Sequence, residues 1–162
     1  MVRVCGDDAA LIVKQVIYED FINYKRPSML IAFPQCDWKC GDGLCQNKKI
    51  SGLPDIETDS HEIVSKYMSN PITSALVCGG LEPFDSYEDL IELVKAFRLQ
   101  TSDPCVIFTG YTETEISHYK DLYEYKNIII KYGRFIPHHK PHYDHVLGVY
   151  LSSDNQYAKQ IS

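Results

Sequence analysis

"SMLIAFPQCDWKCGDGLC", running from Ser28 to Cys45, sets a short apolar run directly against three cysteines. The run "SMLIAFP" has no polar interruption after Ser28 and stops at Pro34, the pattern of a strand buried on both faces. Further strands of the same kind follow. Asp59, with Glu62 three residues on, opens a helix that places Ile63, Val64, Tyr67 and Met68 on one face and ends near Ser69 to Pro71. "ITSALVCGG" (Ile72 to Gly80) is a second strand running into glycines, and Ser86 with Asp89 starts a helix facing inward through Leu90, Leu93, Val94 and Phe97. "CVIFTG" (Cys105 to Gly110) is a third strand, Thr112 with Glu115 repeats the helix-start signature, and "NIIIKYG" (Asn127 to Gly133) is a fourth strand. Alternation of this kind predicts an α/β fold of parallel strands joined by right-handed helical crossovers. Residues 1–27 add one or two short strands within "LIVKQVIYED", and the C-terminal fifth reads as loops with a short strand at "VLGVYL" (Val146 to Leu151).

The bulk properties fit one domain over residues 1–162, because a chain of this length buries roughly 70% of the surface it exposes unfolded. A net charge of −6 offers no general attraction to phosphate backbones and argues against a nucleic-acid partner. Asp7 and Asp8 stand where a secretory signal carries positive charge, and no run approaches the roughly 20 apolar residues of a membrane span. The expectation is a cytoplasmic protein without membrane partners. Thiols stay reduced in that compartment, so clustered cysteines there point to metal binding or catalysis rather than disulfides.

In parallel α/β sheets, ligands bind beyond the carboxyl ends of the strands. The cysteine loop follows the first such strand, "GGLEP" (Gly79 to Pro83) the second, "TGYT" (Thr109 to Thr112) the third and "YGRF" (Tyr132 to Phe135) the fourth, so all four share one rim. Cys36, Cys40 and Cys45 supply three thiolates. A structural zinc wants four protein ligands, which Cys78 or a histidine would have to complete. An iron-sulfur cubane with three cysteines keeps one iron open to another molecule.

Cys36, Cys40 and Cys45 followed by "GGLEP" after the next strand resemble the radical S-adenosylmethionine superfamily, which carries a C-x3-C-x2-C loop after the first barrel strand and a "GGEP" motif after the second. "CQN" (Cys45 to Asn47), "FTGYT" (Phe108 to Thr112) and "SSDNQ" (Ser152 to Gln156) make the likeness closest to the small activating proteins of anaerobic ribonucleotide reductase. The resemblance implies a partial, incomplete parallel β/α barrel. It also implies that the three cysteines hold a 4Fe-4S cluster whose fourth iron takes S-adenosyl-L-methionine. That cofactor would be cleaved reductively to a 5′-deoxyadenosyl radical, which activates a glycyl-radical enzyme such as anaerobic ribonucleotide reductase, with flavodoxin or ferredoxin as the low-potential electron donor. Gly79, Gly80, Glu82, Leu44, Thr109 and Tyr111 are the cofactor-binding residues it implies, and no further catalytic side chain. Gly79 and Gly80 suit the role because without Cβ their backbone admits a ligand closely.

Two departures from the pattern stand out. The spacing is C-x3-C-x4-C, two residues longer than the norm, and "GGLEP" has an extra Leu81; loop-closure entropy grows slowly with length, so both are tolerable. Leu44 replaces the aromatic that approaches the adenine in the superfamily, a contact that Trp38 or Tyr111 would then supply. The competing readings are a radical enzyme acting on a small molecule of the deazaguanine type, and a non-catalytic zinc- or cluster-binding module. Cys78 and Cys105, among apolar neighbours, read as core thiols. The run His138, His139, His142 and His145 reads as an exposed loop that a second metal would have to organise.

Overall fold

The structure is a computed structural model and describes residues 10–37 and 48–162. Its strands are β1 (Ala10–Val13), β2 (Gln15–Asp20), β3 (Ser28–Phe33), β4 (Ile56–Asp59), β5 (Ala75–Gly80), β6 (Cys105–Phe108), β7 (Ile128–Tyr132), β8 (His142–Asp144), β9 (Val149–Leu151) and β10 (Tyr157–Gln160). The α-helices are α1 (Lys48–Ser51), α2 (Ser60–Ser69), α3 (Tyr87–Gln100) and α4 (Glu113–Ile116), with 3-10 turns at Pro83–Ser86 and Lys120–Glu124.

The central sheet has the order β10-β7-β6-β5-β3-β2. Its inner strands β3, β5, β6 and β7 are mutually parallel and are the four apolar runs predicted from sequence. Both edges are antiparallel: β2 against β3 and β10 against β7. The expected partial parallel barrel is therefore wrong; this is an open, mixed α/β sheet. After β7 the chain makes no further helical crossover. It forms the β8–β9 hairpin and returns as β10 along β7, while β2 occupies the other edge, so neither edge strand is a parallel strand that a further crossover could extend. A small β1–β4 ribbon, whose second strand the sequence pattern missed, pairs separately from this sheet, and its Leu11 and Val13 join the core on the helix side.

Helices α2, α3 and α4 pack on one face, whereas α1 buries no residue and its Ile50 lines the cleft described below. Ile63 and Val64 of α2, Leu90 and Phe97 of α3, Ile116 of α4 and Leu122 share one core with Met29, Ile31, Leu76, Cys78, Cys105 and Ile107 from the sheet. Tyr67 of α2 meets Phe97 of α3 edge-on, with ring centroids 4.9 Å apart. Local signals explain where the helices begin. The Asp59 carboxylate accepts the Glu62 N–H at 2.7 Å, and Thr112 and Glu115 form both arms of a capping box. Ser86 sits at the cap of α3 but makes no capping bond, and Met68, expected on the inner face of α2, is exposed.

Side chains alternate in a strand, so the other face of the sheet carries a second set. Tyr24, Ala75, Val77, Val106, Ile129, Leu147, Leu151 and Ala158 pack there, covered by the C-terminal hairpin. That cover is partial. Toward the carboxyl ends of β3, β5, β6 and β7 the same face opens into a cleft.

Candidate metal centre and its cleft

The cleft holds about 540 Å³. Its wall at the rim is made by Cys36, Gly79, Glu82, Thr109, Gly110 and Arg134, and its floor by Leu30, Val77, Phe108 and Lys131. Ile17, Asp20 and Tyr150 also line it. Carboxyl ends of parallel strands are where such sites form, because each crossover loop starts there. Sequence reasoning placed four loops on this rim; the second, third and fourth lie there, as does Cys36 at the start of the first, the rest of which lies outside the described residues.

Backbone bonds knit the rim. Leu81 N–H donates to Phe33 C=O at 3.2 Å and Glu82 N–H to Gln35 C=O at 2.8 Å, which pins the "GGLEP" turn against the chain just before Cys36. Thr109 N–H donates to Lys131 C=O at 2.9 Å, and Gly133 N–H to Tyr111 C=O at 3.1 Å.

The two glycines of the turn differ. Gly80 has φ +83°, and a Cβ there would lie 2.5 Å from Ala32 Cα, so its identity is demanded by the neighbouring strand. A Cβ on Gly79 would meet Leu30 Cδ1 and Phe108 Cβ at 3.7 Å, ordinary contact distance. Nothing within the described residues requires glycine at 79, which faces the cleft.

Glu82 is buried at 4% exposure and fully engaged within the chain. Its Oε1 accepts from the Thr109 hydroxyl at 2.7 Å and from Phe84 N–H at 3.1 Å, and its Oε2 accepts from Gly110 N–H at 2.8 Å. Burial pushes its carboxyl up to about 7, against the lowering pull of those three donors. Glu82 and Thr109, expected to touch a cofactor, thus cross-link the second and third rim loops.

Tyr111 is tied in three directions. Its hydroxyl reaches Asp85 Oδ1 at 2.5 Å and Asp37 Oδ2 at 3.1 Å, and the Arg134 guanidinium stands 5.8 Å from its ring centroid. Burial, then its bonds to Asp85 and Asp37, hold the phenol well above its ordinary range. Arg134 in turn bonds both Glu115 oxygens, at 3.3 and 3.0 Å, which lowers Glu115 to about 2. Asn155 donates to Arg134 C=O at 2.8 Å and Gln156 to Gly133 C=O at 3.2 Å, so the "SSDNQ" segment buttresses the fourth rim loop.

Cys36 is half-buried, three residues past the end of the first parallel strand. Cys40, Leu44 and Cys45, with Trp38, lie outside the described residues. Among the described residues, Cys36, Asp37 and Asp85 are the one grouping of three ligand-type side chains whose donor atoms all fall within 4.8 Å of each other. Cys78 and Cys105 are fully buried on the helix side, and a hydrogen bond to Cys105, then burial, raises the Cys78 thiol well above its ordinary value. They are core thiols. The histidines are dispersed: His139 Nδ1 pairs with Asp154 at 2.7 Å, His142 Nε2 meets the Gln156 carbonyl and His145 packs on Tyr143.

A family model described as a 4Fe-4S single cluster domain matches residues 28–157. The chain belongs to that family. The match runs from the first residue of β3 to the first of β10, and so spans every parallel strand and all four rim loops. No curated protein matches the chain. As a 4Fe-4S single cluster domain the chain binds an iron-sulfur cluster, and the donor chemistry agrees. Iron-sulfur clusters take soft sulfur ligands, and Cys36 lines the cleft.

Two groups escaped the sequence reading. Lys131, 7% exposed, carries its ammonium to Gly133 C=O at 3.0 Å and 5.7 Å from the Phe108 ring centroid, on the cleft floor. The available signal was one lysine at the end of an otherwise apolar strand. Asp37 and Asp85 had none beyond adjacency to motif residues. Among the described residues, no helix is long and apolar enough to cross a membrane.

Proposed function

We propose that this 4Fe-4S protein is a radical S-adenosylmethionine enzyme that activates a glycyl-radical enzyme, with anaerobic ribonucleotide reductase as the preferred partner. The observation that carries the reading is the cleft beside Cys36: about 540 Å³ of space, walled by a glycine that nothing in the described chain requires, next to a thiol from a set of three. Three cysteines leave one iron of a cubane open, and a cleft next to it has room for the molecule that completes it. The cluster, when bound, supplies the electron that cleaves S-adenosylmethionine to a 5′-deoxyadenosyl radical, which takes a hydrogen atom from the partner's glycine.

The chain's own residues bind and orient. Cys36, Cys40 and Cys45 hold the cluster. Gly79 lets backbone groups approach an amino acid moiety, and Lys131 and Arg134, both lining the cleft, supply positive charge toward a carboxylate. Phe108, Leu30 and Val77 give the floor an apolar surface that limits water. Glu82 and Thr109 keep the second and third loops in register. A low-potential flavodoxin or ferredoxin is the matching electron donor.

Anaerobic reconstitution with iron and sulfide tests the reading. It should yield a brown protein whose reduced form gives a paramagnetic signal that changes on adding S-adenosylmethionine. Incubation with a candidate partner should then produce a glycyl doublet. A signal indifferent to S-adenosylmethionine would leave a plain cluster-binding domain, and 5′-deoxyadenosine formed without a glycyl doublet would point to a small-molecule substrate.

A further inference from the structure

Tyr111 is expected from the family resemblance to touch the cofactor, yet its hydroxyl is engaged elsewhere. It lies between Asp85 Oδ1 at 2.5 Å and Asp37 Oδ2 at 3.1 Å, while Asp37 N–H donates to Asp85 Oδ2 at 2.9 Å. Asp37 is the residue directly after Cys36. The Asp37 and Asp85 carboxylates and the Cys36 sulfur lie within 4.8 Å of each other. Two carboxylates that close repel, and the phenol has one proton with which to bridge them. The ring is itself fixed, through Arg134 and through the bond from Gly133 N–H to Tyr111 C=O. The first cysteine is thereby tied, through its neighbour, to the second, third and fourth rim loops.

The geometry points to Tyr111 as a positioning residue for the cluster: its hydroxyl clamps Asp37 and Asp85 together, sets where Cys36 presents its thiolate, and offsets the negative charge beside it. This rests on Cys36 being a cluster ligand. Cluster potentials follow the charge, hydrogen bonding and exposure around the thiolates. Removing the hydroxyl leaves two opposed carboxylates beside Cys36. The loop then loses its tether, and the added negative field disfavours the reduced, more negative cluster.

The test uses the full chain, reconstituted anaerobically with iron and sulfide and kept without S-adenosylmethionine. Tyr111→Phe should hold as much iron and sulfide as wild type, release iron to a ferrous chelator roughly tenfold faster, as expected for loss of one hydrogen bond to a charged group, and have a more negative midpoint potential. Asp85→Asn should move the potential the other way, since it removes one charge and keeps an acceptor for Asp37 N–H. Tyr111→Phe combined with Asp85→Asn should return both readings toward wild type, because an amide can replace the phenol as donor to Asp37. Unchanged potential and release rate in Tyr111→Phe, with Cys36→Ala stripping the cluster, overturn the role of Tyr111 and leave the ligand assignment standing. Retention of the full cluster by Cys36→Ala overturns both. If thermal melting shows that Tyr111→Phe does not fold, Asp85→Asn decides, and an unshifted potential there overturns the clamp.

Discussion

The two faces of the central sheet are built from the same four parallel strands and behave differently. The helix-side face carries Ile31, Leu76, Cys78, Cys105 and Ile107, which pack with Leu90 and Leu93 of α3, all essentially without exposure. The opposite face is apolar where the C-terminal hairpin covers it and becomes a cleft with Lys131, Glu82 and Thr109 where the hairpin stops. Alternation along a strand explains how one residue, Cys78, can be core while its neighbours Val77 and Gly79 line a cleft. The helix-side cysteines are packing; Cys36, beyond the strand end, lines the cleft.

Five substitutions bear on that contrast. The largest effect should come from the cysteines: Cys36→Ala loses the cluster, measured as iron and sulfide per chain, whereas Cys78→Ala and Cys105→Ala keep it. Iron lost from Cys78→Ala alone would erase the distinction between the faces. Next, Leu93→Ala in the helix-side core should cost about 3–4 kcal/mol in denaturant unfolding of the apo chain, the usual range for a buried leucine cavity. Lys131→Met on the cleft floor should leave that stability nearly unchanged and weaken the S-adenosylmethionine response of the paramagnetic signal.

The glycine pair sharpens the comparison within one turn. Gly80→Ala should lose about 3 kcal/mol, combining a positive φ with a clash against Ala32. Gly79→Ala should fold as well as wild type, since its Cβ meets only ordinary contacts, yet lose the S-adenosylmethionine response. Equal destabilisation by the two would deny Gly79 a ligand role.

The smallest effect is a pH dependence. Burial raises the Glu82 carboxyl from its usual 4.5 to about 7, so between those values the folded chain binds more protons than the unfolded one. Its contribution is therefore fully present at the acid end and is lost as pH rises toward 7. Wild-type stability should fall across that window by about 2 kcal/mol more than that of Glu82→Gln, read from urea midpoints at several pH values. Parallel slopes would show that the three donors to Glu82 already cancel the cost of burying it.

Much of the parallel core was legible because its strands are unbroken apolar runs and its helices open on capping signatures. Asp59 with Glu62 and Thr112 with Glu115 cap as their spacing predicts. The edges were not legible. "YAKQ" in β10 and "IETD" in β4 have little apolar pattern, because an edge or ribbon strand buries few side chains and owes its place to backbone pairing. The unread antiparallel edges are what make the sheet open rather than the expected partial barrel.

The candidate site divides the same way. Three cysteines in ten residues and a glycine turn after the next strand are local chemistry, readable from spacing because a metal ligand set must be close in the chain or at neighbouring strand ends. Glu82 and Thr109 were singled out for a cofactor, but only the fold shows them spent on each other and on Gly110. The clamp of Asp37, Tyr111 and Asp85 joins residues up to 74 positions apart, and Lys131 reaches the cleft by the alternation of β7. By itself the sequence determined the four parallel strands, the spacing of the cysteines and the rim to which the loops after those strands belong, all consequences of short-range patterning. Only the tertiary structure decided how the sheet ends, which glycine is spent on packing and which charges face the thiol, since those depend on neighbours that chain distance does not reveal.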